Sequence, residues 1–212
     1  MVLLVELQYL PPVPFFSRLA TADGLLLDAH EHYRKQTYRN RALIRTAQGV
    51  QALTVPVVDG NRAAKVRTSE IEIDYRQNWR HRHWRTLQTA YGSSPYFEYY
   101  ADYLRDVYDQ KPARLWDLNL AFLQLLLRCL RLPLPLKLTT EYLPPAALSH
   151  GSVLDCRDIF SPKAHPETSA PDTPAALLGP RPYPQPFGPP FVPGLSLLDL
   201  LFAQGPWAGQ FL

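Results

Sequence analysis

The chain has 212 residues, 46% of them hydrophobic and 12% aromatic, with a formal net charge of +3. That length and apolar content predict one domain with a real core, and the mild charge argues against a dense basic surface for nucleic acid. Two cysteines without metal-ligand spacing exclude a disulfide framework, and Cys129 lies in a leucine-rich helical pattern where a buried thiol is the ordinary reading.

In chain order, Val2 to Leu7 reads as a buried strand, ended by Gln8-Tyr-Leu-Pro-Pro12 because proline removes backbone donors. The opening residues have no basic start and meet Glu6 at once, which does not fit a signal peptide. Phe15 to Ala22 predicts a short helix and Leu25 to Asp28 a second strand. Arg41 to Thr46 and Val50 to Val58 predict a hairpin turning at Gln48-Gly49, with Lys65 to Thr68 extending the sheet. Ile71 and Ile73 alternate with acids as in a half-exposed strand. Helices follow over Asn78 to Tyr91, from a cap at Ser94-Pro95 through Tyr108, and over Leu115 to Leu130. Leu136 to Thr140 predicts a late strand. The region Leu118 to Leu136 is interrupted by Gln124, Arg128, Arg131 and two prolines, so no transmembrane segment is predicted.

Of 22 prolines, 16 lie from Pro133 onward. From residue 150 to the end the chain carries three basic and five acidic residues, so the first 149 residues hold a net charge of +5. The fold expectation is therefore an α/β domain over 1–149, with an N-terminal mixed β-sheet and a three-helix layer. A proline-rich arm over 150–212 ends in a short helix that packs back on the core. Ser196-Leu-Leu-Asp199 suggests a capping box with Asp in place of Glu, opening a helix from Leu197 to Phe202 that Gly205-Pro206 closes.

The densest polar stretch runs from Asp28 to Arg41, between two apolar runs, which predicts a segment emerging at a sheet edge. Within it Lys35 and Arg41 suit a diphosphate, Asn40 suits a sugar hydroxyl or amide, and Glu31 suits a general base or an ion pair with Lys35. His30 and His32 share a face in an extended segment, but no third ligand is spaced with them, so no metal is predicted. His81 and His83 would point about 200° apart on a helix and cannot chelate together. His83 lies on the inward side between Trp79 and Leu87, either a satisfied core residue or a proton-transfer group. Gln8 and Tyr9 follow the first strand, where they either orient a ligand or fill a turn. The local excess of positive charge fits a small anionic ligand better than nucleic acid.

Gln8-Tyr-Leu-Pro11, Tyr33-Arg-Lys-Gln-Thr-Tyr-Arg-Asn-Arg41, Leu53-Thr-Val-Pro56, Trp79-x-x-x-His83-x-x-x-Leu87, Tyr91 with Ser94-Pro-Tyr-Phe97, and Leu195-Ser-Leu-Leu-Asp-Leu-Leu-Phe202 are segments that together resemble the WbqC-like protein family. Many relatives carry a glycine-rich, serine-containing segment ahead of the last of these, where this chain is proline-rich. The resemblance implies a bacterial surface-polysaccharide (O-antigen type) setting. The expected function is a cytoplasmic enzyme acting by group transfer on a nucleotide-linked sugar or related phosphorylated metabolite. Glu31 and His83 are its candidate proton carriers, Gln8, Tyr9, Tyr33, Lys35, Asn40 and Arg41 its candidate binding residues, and no cofactor is identified. Two other readings stay open. One is a non-catalytic adaptor using the arm and its Leu/Phe helix to bind a polysaccharide-pathway protein. The other is a membrane-surface protein using Arg128, Arg131 and Lys137.

Overall fold

The computed structural model describes residues 1–59, 66–148, 152–162 and 181–212. The chain is an α/β protein with a four-stranded parallel sheet and a separate two-stranded antiparallel one. The parallel sheet has the order β5-β2-β1-β6: β1 Val2–Val5, β2 Gly24–Leu27, β5 Leu136–Leu138 and β6 Val153–Asp155. Register runs Val2 to Gly24 and Val5 to Leu27 on one side of β1, and Val2 to Val153 on the other. β1 and β2 are continuous apolar runs because a parallel strand covered on both faces has no solvent side to spend on polar residues.

Helix α1 (Val13–Leu19) is the crossover between β1 and β2, and it buries Phe15, Phe16 and Leu19. β3 (Arg41–Thr46) and β4 (Gly49–Thr54) form the hairpin, with Gly49 at φ +107° where the turn demands a residue without Cβ. The mixed strand directions expected of one sheet are thus divided between two. Val50 to Thr54 pairs as expected, but Val57 makes only an isolated bridge to Ile73, and Glu72 another to Arg114. In the predicted extension, Arg67 bridges His32, while Lys65 lies outside the described residues.

The helical layer consists of α2 (Trp79–Tyr91), α3 (Phe97–Asp109) and α4 (Leu115–Cys129). α2 and α3 each bury one stripe, as 3.6-residue periodicity requires. α4 buries residues nearly all round, which makes it the central helix. α3 starts at Phe97 rather than at the Ser94-Pro95 cap; the Ser94 carbonyl accepts from Phe97 N, and its hydroxyl caps nothing.

The C-terminal helix α5 (Leu197–Gln204) is packed in the core, with Leu197, Leu198, Leu200, Leu201 and Phe202 all buried. Backbone bonds stitch its entry to β3 (Ser196 N to Leu43 O, 2.7 Å) and to α1 (Val13 N to Leu195 O, 2.9 Å). Ser196 does cap the helix, its hydroxyl accepting from Leu198 N. Asp199, however, does not return a capping bond to the Ser196 amide. Its carboxylate turns inward to accept from Tyr91, Tyr183 and Gln185. Gly205 ends the helix at φ +52°, where an added Cβ would come within 2.4 Å of the Tyr96 ring. Much of the proline-rich arm, residues 163–180, lies outside the described residues. β6, which the sequence pattern does not announce, comes from just before it and completes the parallel sheet.

Candidate functional site

All four parallel strands end on the same edge, and β1, β2 and β6 each deliver a carboxylate there. Val5 leads to Glu6, Leu27 to Asp28, and Leu154 to Asp155. From β1 the chain moves outward through β2 to β5, then returns to the other side of β1 as β6. That makes the gap between the carboxyl ends of β1 and β6 a topological switch point, the usual ligand crevice of open parallel sheets. An open cavity of about 730 Å³ occupies this edge. Its wall comes from the loop after β2 (Asp28, His30, Glu31, His32, Arg34), and from Arg67 before the 3-10 turn Thr68–Glu70. The loop after β5 adds Thr140, Glu141 and Tyr142, and the loop after β6 adds Asp155, Arg157 and Asp158.

The floor is a connected ion-pair network. Arg39, only 1% exposed, donates through Nε to Glu31 Oε1 at 2.8 Å, and through Nη2 to both Glu31 Oε2 and Asp158 Oδ1. Arg157 is held flat by Asp155 (2.9 and 2.6 Å) and Asp28 (2.8 Å), with the Tyr142 ring 5.5 Å from its guanidinium carbon. Beneath them Glu6 accepts from Asp158 N at 3.0 Å and from Gln8 Nε2 at 2.6 Å. Paired buried charges of this kind fix side-chain direction, because breaking one pair strands its partner in low dielectric.

Burial sets the proton affinities. It pushes Glu6 up to about 7, against the pull of the Arg39 charge. It also raises Glu31, again opposed by hydrogen bonds and charge from Arg39. Asp155 is lowered: burial raises it, but the hydrogen bonds and charge of Arg157 outweigh that. The rim is different in character. Arg34 is exposed and touches Asp158 Oδ2 at 2.8 Å, and Arg67 has no ion pair among the described residues. His32 is exposed and His30 half-buried beside it. The edge therefore combines cationic donors at its mouth with protonation-labile carboxyls at its base. Among the described residues no cluster of side chains has the makeup of a metal site.

The sequence-predicted residues fall in several places. Glu31 borders the crevice, and Gln8 lies directly under it on Glu6. Lys35 is an exposed residue of the loop after β2 and Arg41 begins β3; neither borders the cavity. Asn40 is buried, donating to the Val55 carbonyl at 2.9 Å, and Tyr33 is buried with its phenol pushed up to about 12. Tyr9 and His83 meet in the interior. Tyr9 Oη lies 2.9 Å from His83 Nδ1 and 2.5 Å from Tyr108 Oη, beside Trp79 and Phe122. Burial holds His83 down to about 4, despite a hydrogen bond to the Thr54 backbone.

Sequence reasoning passed over Arg34, Arg39, Arg67 and the whole β6 loop. A signal existed for the last: Leu154-Asp155 repeats the apolar-run-then-acid ending of Leu27-Asp28 and Val5-Glu6. Its three-residue strand, next to a proline-rich stretch, hid it.

The chain is similar over its whole length to the uncharacterized protein Rv1507c of Mycobacterium tuberculosis (strain ATCC 25618 / H37Rv), with 30% identity over 227 aligned positions that cover 96% of that relative. No solved structure matches it. No helix among the described residues is long and apolar enough to cross a membrane. The profile of the WbqC-like protein family matches residues 8–161, a span that runs from Gln8 under the crevice to the loop after β6, and the chain belongs to that family.

Proposed function

We propose that the protein is a cytoplasmic enzyme of bacterial surface-polysaccharide biosynthesis, O-antigen type, that transfers a group to or from a nucleotide-linked sugar or related phosphorylated metabolite. The observation that carries this reading is the crevice at the carboxyl edge of the parallel sheet, where solvent-facing cations line the mouth and burial has raised the proton affinity of Glu31 in its wall and of Glu6 behind it. Arg34 and Arg67 are placed to take phosphate oxygens, Arg by its planar fork. Glu31 is the candidate proton carrier: Arg39 engages each of its oxygens once, and a carboxylate has about four acceptor sites, so lone pairs remain for a substrate hydroxyl. Gln8 and Glu6 form the layer that keeps Glu31, Arg39 and Asp158 in place. Lys35 remains a candidate for the outer phosphate on its exposed loop. Tyr9, Tyr33, Asn40, Arg41 and His83 act in this scheme by shaping the interior behind the edge. With α5 buried in the core, the adaptor alternative rests on the proline-rich arm, residues 163–180 of which lie outside the described residues.

The test is a thermal-stability screen against nucleotide sugars, sugar phosphates and nucleotides, with Arg34→Ala/Arg67→Ala beside the parent. A ligand at about 100 times its dissociation constant adds about 2.7 kcal/mol of stability. A shift present in the parent and absent in the variant, followed by loss of turnover in Glu31→Gln with binding kept, is the expected result. Absence of any shift, or a shift unchanged in the variant, overturns it.

A further inference from the structure

Away from the sheet edge, a second concavity of about 370 Å³ lies between α3 and the C-terminal end of α4. It shares no residue with the crevice. Its wall on α3 is Tyr99 and Tyr103, four residues apart and hence on one face. They are 65% and 49% exposed, so they are not core packing. The opposite wall carries Arg128 and Arg131, and the floor is Tyr100 and Leu125. Tyr99 sets its ring edge-on to Tyr100 at 4.8 Å, and the Arg128 guanidinium carbon sits 5.8 Å from the Tyr103 ring centre. Both tyrosines thus have a fixed neighbour that orients them.

Among the described residues no carboxylate lines this groove. At about 100° per residue, Asp102 and Asp106 fall beyond the tyrosine pair, on the side of α3 away from Tyr100. Neither Arg128 nor Arg131 has an ion pair among the described residues. Cys129 also borders the groove, but burial pushes its thiol up to about 11, so it is no nucleophile at neutral pH. Among the described residues the groove offers flat aromatic faces and charged donors.

We propose that this groove is a binding site for an anionic pyranose, its ring stacked on Tyr99 and Tyr103 and its acid group held by Arg128 and Arg131. The apolar C–H face of a sugar ring matches an exposed tyrosine face, the phenol hydroxyls serve as donors and acceptors for ring hydroxyls, and the two arginines select for a phosphate or carboxylate. The volume suits a ligand of one or two rings.

The experiment follows the ring-proton NMR signals of Tyr99 and Tyr103 in the full chain during titration with glucose 1-phosphate, glucuronic acid, glucose and inorganic phosphate. Saturable shifts with the acidic sugars, at least about 5-fold tighter than with glucose, are expected, and a similar weakening in Arg128→Ala/Arg131→Ala. Response to glucose 1-phosphate alone identifies a phosphate monoester as the ligand, and response to glucuronic acid a carboxylate. Tyr103→Leu tests the stacking. All the substituted side chains are at the surface, and circular dichroism checks that the variants keep their fold. No saturable shift, an equal response to glucose, or a response lost in Arg34→Ala/Arg67→Ala instead overturns the proposal. So does flotation with phosphatidylglycerol vesicles that the arginine variant abolishes while the sugars produce no shift, because that outcome makes the patch a membrane surface.

Discussion

Arg39 lies eight residues beyond Glu31 and closes a two-pronged ion pair on it, while the same Nη2 holds Asp158 Oδ1 at 3.0 Å. One buried guanidinium thereby ties the loop after β2 to the loop after β6, across the carboxyl end of β1. Arg39→Ala leaves Glu31 in a nearly dry site without its cation, and removing one partner of a buried pair costs about 3–5 kcal/mol. Thermal unfolding of the variant is expected to fall on the order of 10 °C below the parent. Arg39→Ala combined with Glu31→Gln should recover part of the loss, since it removes the stranded charge. Equal stability of Arg39→Ala and the parent would show that the pair does not hold the edge together.

Glu6 gives a second, independent handle. Its folded pKa of about 7 lies above its ordinary 4.5, so the folded state binds the extra proton between those values. More protons bound in the folded state means stability falls as pH rises through that window. The contribution is present below about 4.5 and is lost by about 7. Glu6→Gln cannot titrate, and its amide can donate to Gln8 Oε1, which has no partner among the described residues of the parent. Across the window the parent loses about 1.4 kcal/mol for each pH unit, so the difference in unfolding free energy between variant and parent should grow by a few kcal/mol from pH 4.5 to pH 7. Denaturant titrations at those two pH values measure it. A pH-independent difference would mean Glu6 is ionised throughout.

How much of this is legible in one dimension depends on periodicity. α2 has a clean 3.6-residue stripe and α4 a long apolar run broken at helical spacing by exposed Asp117, Gln124 and Arg128, and both appear within a residue of their expected ends. β1 is readable because four apolar residues precede a proline turn. The apolar flanks of the polar run after β2 place that run at a sheet edge, where the structure has it. Inside the run there is neither helix nor strand, so no period says which side chain turns inward. Lys35 and Arg39 look equivalent in sequence, yet Arg39 is the buried one and Lys35 faces water. β6 is three residues long and its pairing with β1 spans about 150 positions, which no local pattern encodes. Tyr9 and His83 read equally well as site or core, and a separation of 74 positions conceals that they touch.

The Tyr9–His83 contact leads to a prediction about protonation. Burial depresses His83 to about 4, below its ordinary 6.5, so the unfolded state holds the extra proton between those values. Stability from this group then rises as pH rises from about 4 to about 6.5 and is fully present above that. The ring signals of His83 should stay constant from pH 8 to pH 5. His83→Gln should flatten the acid side of the stability profile. A mid-point for His83 near 6.5 would place the ring in contact with water and restore it as a candidate acid–base group.

Asp199 secures the other end of the chain. Its carboxylate accepts from Tyr91 Oη (2.9 Å), Tyr183 Oη (2.8 Å) and Gln185 Nε2 (3.1 Å), so one side chain joins α2, the segment after residue 181 and α5. Arg45 reinforces the same junction, donating to Gln185 Oε1 at 2.9 Å and to the Pro190 carbonyl at 3.0 Å. Burial raises the Asp199 pKa against these hydrogen bonds, so its ionisation is opposed rather than favoured by folding. Asp199→Ala would strand two buried phenols and an amide, each worth about 1–3 kcal/mol of desolvation. The expected result is a loss of about 3–5 kcal/mol, the upper range for a single substitution. Asp199→Asn keeps an acceptor and loses less. Its deficit against the parent should be largest at acid pH and shrink as pH rises, because the folded parent holds the Asp199 proton more tightly than the unfolded chain does. Limited proteolysis reads the consequence locally: in Asp199→Ala, cleavage within residues 181–195 should precede cleavage of the core. Cleavage at the same rate as in the parent would show that α5 holds by its leucines alone and that Asp199 is dispensable to it.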